Sequence, residues 1–214
     1  MEEKLKQKSA IKKGLNLLTD VALVGITAFG SFQNGWFNLP NLVSWMGLIG
    51  VIGLAKKWQG NFIFNSIQNI SAAIVAGKNR VYGDMFTSIY YLFTQIFGFK
   101  QWSGHKNAEG ELVVDKTTNW KFVGLAIFVG FFGLGSLSYF MGGALIFWDA
   151  FNNATAIIAQ YMQLVQRKRS SWILWLITNV ISLYIFVQQG VPQMAIMYFV
   201  FSLNAIRGYI NWTE

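Results

Sequence analysis

The chain has 214 residues, of which 54% are hydrophobic and only 12% charged, with a mean hydropathy of +0.39 and a formal net charge of +8. Soluble domains carry about 25% charged residues, so a soluble fold would leave much of this apolar side chain in water, and the composition is that of a polytopic α-helical membrane protein. The lack of cysteine excludes disulfides and thiolate metal sites, and basic residues gathered at the ends of apolar segments argue against a nucleic-acid groove.

Apolar runs bounded by polar or glycine-rich breaks give eight candidate spans, at 15–33, 41–56, 61–77, 82–99, 120–140, 143–166, 170–189 and 191–211. The first follows the lysine-rich MEEKLKQKSAIKK and could pass as a signal sequence cleaved at AFG, 28–30. Its length, its Asp20 and the charge pattern below favour a retained helix, with Asp20 in a structural role. The third, FIFNSIQNISAAIVAG, is polar for a span and is expected to be buried among the others. With eight spans, 15 of the 17 basic residues fall on one side, Lys56, Lys57, Arg167, Lys168, Arg169 and Arg207 among them. Only Lys78 and Arg80 fall on the other. The positive-inside rule then puts both termini in the cytoplasm. Cytoplasmic loop 101–119, with its lone His105, reads as solvated.

The two halves align without gaps at one constant offset. Leu54 meets Leu164, Lys57 meets Arg167, and Asn69 meets Asn179. Tyr91 meets Phe201, Thr94 meets Asn204, Gly98 meets Gly208, and Trp102 meets Trp212. The organisation is a basic N-terminus and extra helix (1–40), a three-helix repeat (41–100), a loop and linker helix (101–142) and a second three-helix repeat (143–214). Corresponding helices lie four spans apart, an even number, so both halves cross in the same direction. This parallel repeat is a transporter plan.

Polar groups in a bilayer face the bundle or a water-filled cavity. Here they are amides and hydroxyls: Asn65, Gln68 and Asn69; Ser88, Tyr91 and Gln95; Asn152, Asn153 and Gln160; Trp175 and Asn179; Tyr198, Ser202 and Asn204. Such groups can equally serve as interhelical glue, and tyrosines can simply pack. Trp102, Trp120 and Trp212, near span ends, read as interfacial belt anchors, and Trp172 as an anchor or an inner gate. Asp84 and Asp149 sit near the external ends and are expected to pair with Lys78 or Arg80. No carboxylate chain suggests a proton relay. No metal cluster, catalytic grouping or phosphate loop appears, so neither an enzyme nor a cofactor is expected.

The motif W-x-x-W-x-x-x-N (Trp172, Trp175, Asn179) after RKR, with AQYM at 159–162 and the closing GYINW at 208–212, resembles the Pnu-type vitamin transporters, specifically those for nicotinamide riboside. The likeness covers about residues 36–212. It implies a SWEET-like fold, a homotrimer in the bacterial inner membrane, and facilitated diffusion without a coupling ion. Trapping would follow through a cytoplasmic kinase that phosphorylates the vitamin. Trp175 with Asn179, backed by Asn69, Gln68, Asn153 and Gln160, is the expected binding constellation, with Trp172, Tyr91, Gln95 and Asn204 around it. An indole face attracts a cationic aromatic ring by about 0.5–2 kcal/mol. A sister transporter for thiamine, riboflavin or a deoxynucleoside is the alternative, and a non-transporting membrane protein the more distant one.

Overall fold

The computed structural model describes residues 2–34, 36–78, 82–140, 146–188 and 192–212. Among them are eight helices and no strand: α1 (Glu2–Asn34), α2 (Leu39–Ala55), α3 (Asn61–Lys78), α4 (Tyr82–Ser103), α5 (Trp120–Phe140), α6 (Ile146–Leu164), α7 (Ser171–Gln188) and α8 (Pro192–Asn211). Each expected span coincides with a helix over most of its described residues, including the polar third. Two run further than the apolar pattern: α1 begins at Glu2, within the lysine-rich segment, and α4 continues to Ser103.

Local chemistry sets several boundaries. The Asn38 side chain accepts a hydrogen bond from the Asn41 amide at 2.8 Å, with Pro40 in the first turn, which caps and pre-organises the start of α2. Asn119 does the same for α5 through the Phe122 amide at 3.2 Å. Lys57 and Arg167, which the repeat aligns with one another, both take a left-handed backbone, at φ 58° and 54°. Non-glycine residues rarely adopt that region, and here it bends the chain sharply between α2 and α3 and between α6 and α7.

The packing order is cyclic. α3 lies between α2 and α4, and α7 between α6 and α8; α4 then meets α6, and α8 returns to α2. Six helices therefore close a ring in which α3 and α7 lie opposite one another and do not pack together. α5 packs on α6, and α1 packs on α8 and α2.

This ring has the polarity of a membrane protein. On α3 the exposed side chains are Ile63, Ile67, Ile70 and Ile74, while Asn61, Asn65, Asn69 and Ser71 are buried. On α7, Ile177, Val180, Tyr184 and Val187 face outward, and Ser171, Thr178, Asn179 and Ser182 inward. A water-soluble helix would show the reverse. The ring helices run from 17 to 22 residues, which at 1.5 Å per residue is about 25–33 Å and matches a hydrocarbon core of about 30 Å. Among the described residues, only Lys13–Gln33 and Trp120–Leu137 are both long and apolar enough to read as spans by hydropathy alone, because the ring helices spend one face on amides.

The end of the bundle that carries the sharp bends is closed by aromatic side chains. Trp102 and Trp212 are 1% and 0% exposed. Their rings meet edge to face at 5.6 Å; Phe62 packs on Trp102 at 4.9 Å and Trp172 on Trp212 at 5.6 Å. Phe62 and Trp172 also occupy equivalent positions of the two halves. Trp102 and Trp212 are thus core residues, not belt anchors as expected, since helix ends here turn inward onto one another; Trp120 is half exposed. Loop 101–119 is not simply solvated either. Leu112 is buried in the same cluster, and the Asp115 carboxylate accepts from the Lys168 ammonium at 2.7 Å. Burial raises the Asp115 pKa, but Lys168 together with the Thr117 hydroxyl and amide outweighs that and holds it at about 2.

A side chain at Gly208 would come within 2.6 Å of three Trp172 ring atoms. We expect Gly208→Ala to lower stability in detergent by about 1–3 kcal/mol through overpacking, whereas Gly124→Ala on α5, with open space around it, leaves the thermal midpoint unchanged.

Candidate functional site

The polar faces of the ring helices are accommodated by small residues opposite. On α2, Gly53, Gly50 and Gly47 present successive turns to α3. A Cβ at each would press on Asn61, Asn65 and Gln68 respectively, and at Gly50 it would collide with the Asn65 carboxamide. Gln68 therefore lies over Gly47. Asn65 donates to Asn61 at 3.4 Å, and Asn61 to the Trp58 carbonyl at 2.5 Å. This run of amides is largely α2–α3 glue.

One turn deeper the glue ends. Asn69 and Asn179 stand at the midpoints of the opposed helices α3 and α7, and are 4% and 8% exposed. No hydrogen bond to either carboxamide is made by the described residues. Neither carboxamide is among the fully enclosed unpaired polar atoms of the interior, so both keep contact with open space, and two such amides at the same point of α3 and α7 mark a place where a polar partner can be held.

Around them the expected residues divide. Trp175, also on α7, is half-buried and its indole N–H donates to the Gln163 carbonyl oxygen at 2.7 Å, which fixes the ring against α6. Gln160 donates to the Thr94 hydroxyl at 3.0 Å, and Thr94 to the Tyr91 carbonyl at 2.6 Å, so the α4–α6 seam is hydrogen-bonded. Gln95 beside it is buried with its carbonyl oxygen unpaired. Tyr91 is half-buried against Tyr90, with ring centroids at 5.7 Å. Asn153 is half-buried and already engaged. Trp172 sits apart from these, at the aromatic closure under Gly208; it is neither an anchor in lipid nor at the depth of the paired amides. The side chains of Asp84 and Asp149, and Arg80 itself, lie outside the described residues.

Asn204 belongs to a network the sequence reading missed. Its oxygen accepts from the Arg207 guanidinium, which is 0% exposed and also pairs with Asp20 and with the Asn16 carbonyl. Asp20 also pairs with Lys56 at 2.5 Å. Asp20 is structural as expected, and this network ties α1 to both α8 and α2. Arg207 is correspondingly not a loop charge, which removes one cation from the cytoplasmic tally without reversing it. Its place between Asn204 and Asn211 on an apolar helix, with one acid in α1 to match, was a legible signal for an intramembrane ion pair. Gln163 was missed because its role depends on which α7 residue reaches it.

The arrangement holds no catalytic grouping among the described residues, and no set of acids and histidines there could hold a metal. Arg207 is the only buried cation among the described residues, and it is already paired. The interior at the level of Asn69 and Asn179 is therefore suited to a neutral or cationic solute with hydroxyl and amide groups, and unsuited to an anion.

Comparison with known proteins fits this geometry. The family model described as nicotinamide mononucleotide transporter matches residues 39–214. The chain is 27% identical over 191 residues to the nicotinamide riboside transporter PnuC of Neisseria mucosa, covering 82% of this chain and 72% of that one. It is 26% identical over 197 residues to that of Haemophilus influenzae, covering 88% and 84%. The crystal structure of the vitamin B3 transporter PnuC superposes with a TM-score of 0.75 at 24% identity, over 92% of this chain and 90% of that one, which establishes the fold.

Removing one partner of a buried ion pair typically costs about 3–5 kcal/mol. Asp20→Asn, which leaves Arg207 unpaired, is expected to lower the unfolding midpoint in detergent markedly, and Asp20→Leu with Arg207→Met to recover most of that loss.

Proposed function

The chain belongs to the nicotinamide mononucleotide transporter family, and on that premise we propose that it is a uniporter for nicotinamide riboside. It is a membrane transporter and not an enzyme. The single observation that carries the substrate reading is the pair of buried, unpartnered carboxamides of Asn69 and Asn179 at the midpoints of α3 and α7. A ribose and a carboxamide supply the donors and acceptors these groups want, and the Trp175 indole, held by Gln163, offers a face for a cationic pyridinium ring. In this reading Gln160, Asn153, Tyr91 and Gln95 belong to the helices that complete the path around that position, Gln68 and Asn204 brace neighbouring helix contacts, and Trp172 closes the end of the path. The family's descriptive name mentions the mononucleotide, but a phosphate dianion would have to pass an interior whose one buried cation among the described residues is already paired. The riboside is the better chemical match.

The ring order supports a SWEET-like arrangement, since α4 on α6 and α8 on α2 are the same contact exchanged between the two aligned halves. In this reading residues 1–40 add a helix outside the repeats, 41–100 and 143–214 are the parallel repeats, and 101–142 carry the linker. Both termini face the cytoplasm, the protein is a homotrimer in the bacterial inner membrane, and a cytoplasmic kinase retains the vitamin as its phosphate.

Two measurements follow. In titration calorimetry against nicotinamide riboside, thiamine, riboflavin and deoxynucleosides, the riboside should bind best. Asn179→Ala and Trp175→Ala should each weaken it about tenfold or more, the loss of one buried polar or cation–π contact. Tight binding of another vitamin without the riboside would reject the substrate, and unchanged affinity in both folded variants would return the motif to packing. Because the riboside carries one positive charge, a uniporter must respond to voltage. In proteoliposomes, an inside-negative potential of 100 mV should drive accumulation of about 50-fold, while a sodium or proton gradient without potential drives none.

A further inference from the structure

The α4–α6 and α8–α2 seams are equivalent contacts between the two aligned halves. At the end of the bundle that carries the sharp bends, however, they are held in different ways. We propose that the halves part at this end along the α4–α6 side only, swinging about an α8–α2 seam that α1 pins shut. The proposal rests on the transport reading, because a solute held at mid-helix has to leave through one end, but not on which vitamin is carried.

Three observations converge. The first is the bonding of the α8–α2 seam. The Trp212 indole donates to the Leu54 carbonyl at 3.1 Å and the Asn211 carboxamide to the Ala55 carbonyl at 3.3 Å, so the end of α8 is bonded to the last residues of α2. α1 reinforces both sides. Asn16 accepts from Asn211 at 3.1 Å, and Asp20 pairs with Arg207 of α8 and with Lys56 after α2. Arg207 is fully buried, and separating a buried cation from its acid is costly.

The second is the same register at the other seam. Trp102, Gln101 and Leu164 are the counterparts of Trp212, Asn211 and Leu54. The ends of α4 and α6 do meet, since a Cβ at Gly98 would lie 2.8 Å from the Leu164 Cβ. Yet the bond from Trp102 to Leu164 is not made, and the Trp102 N–H has no acceptor. Gln101 accepts from Arg167 at 3.2 Å instead. Gln160 to Thr94 and Tyr90 to the Ile157 carbonyl, both at 3.0 Å, are uncharged bonds further in. Among the described residues α5 packs on α6 but not on α4, so no helix bridges this seam as α1 bridges the other.

The third is how the bends are tied. Gln59 donates to Ser103 within the first half. Arg169 stacks on the Tyr209 ring at 3.6 Å and donates to its carbonyl at 3.0 Å within the second. Loop 101–119 goes with the second half, through Lys168 on Asp115 at 2.7 Å and Thr118 on Ser170 at 2.6 Å. Toward the first half it faces the α2–α3 turn across a cavity of about 340 Å³, with Lys56, Lys57 and Gln59 on one wall and Lys106 and Glu111 on the other. Much of the boundary between the halves here is therefore open space, and the Arg167–Gln101 bond acts as a latch across it. Hinged motion needs this combination of one fixed seam and one weakly bonded seam.

The test exploits the lack of cysteine. Double electron–electron resonance on the full chain in nanodiscs reads two spin-labelled pairs. Lys100→Cys with Gln166→Cys spans the α4–α6 side, and Gln59→Cys with Ile210→Cys spans the α2–α8 side; all four positions are at least partly exposed. Distances are taken without ligand and with whichever vitamin of the calorimetric panel binds, on labelled samples that still bind it. Failure of the riboside as substrate therefore leaves this test standing, and the two failures are told apart.

We expect the α4–α6 pair to split into a short and a long population whose ratio changes on binding, while the α2–α8 pair keeps one narrow distance. Gln101→Leu, which removes the latch, should raise the long-to-short ratio by up to about tenfold, the weight of one charged hydrogen bond, without moving the α2–α8 pair. Lengthening of the α2–α8 pair by as much as the α4–α6 pair overturns the proposal. So does a single unchanging distance for both pairs in wild type and Gln101→Leu alike.

Discussion

A carboxamide inside a bilayer must be turned away from lipid, because hydrocarbon offers it no hydrogen-bond partner. That constraint organises the molecule. Once α3 and α7 each carry a row of amides and hydroxyls, their isoleucine and valine faces must point outward, and the six helices close a ring around the polar faces. Glycines on α2 let those amides sit against backbone, and hydrogen bonds along α3 and across the α4–α6 seam pair several others. Asn69 and Asn179 stand out because they occupy the same position in the two aligned halves and neither carboxamide bonds to a described residue.

The strongest cohesion lies away from mid-helix. The end of the bundle that carries the bends is held by the edge-to-face aromatic closure of Phe62, Trp102, Trp212 and Trp172, by the Asp115–Lys168 pair, and by Arg207 with Asp20 and Lys56. α1 lies outside the repeats, yet it supplies the acid for a guanidinium in α8 and for an ammonium after α2. It therefore bridges the two halves where α8 meets α2.

Much of this was legible in the sequence, and for physical reasons. Hydrophobic runs and charge placement located every helix among the described residues, including the polar α3, whose inclusion is what keeps the basic residues of the chain on one side. The constant offset between the halves picked out Lys57 and Arg167, which share an unusual backbone angle, and it paired Asn69 with Asn179. Burial of side chains at helix ends was not legible. Trp102 and Trp212 sit where belt residues sit in a linear reading, and only the inward tilt of the loops makes them core. Arg207 was counted as a loop charge because hydropathy averages over a window and does not see a partner 187 residues away. Loop 101–119 looked solvated because its composition is polar, while its docking depends on a few residues, Leu112, Asp115 and Thr118 among them.

The central claim is that the opposed amides at the midpoints of α3 and α7 hold the transported molecule. It is tested most directly by a cryo-electron microscopy structure of the protein saturated with nicotinamide riboside. The account predicts ligand density between α3 and α7, with both the Asn69 and Asn179 carboxamides within hydrogen-bond reach, about 3.2 Å, and the pyridinium ring against Trp175. Ligand density elsewhere in the protein, with those two amides bridged only to water or to each other, would contradict it.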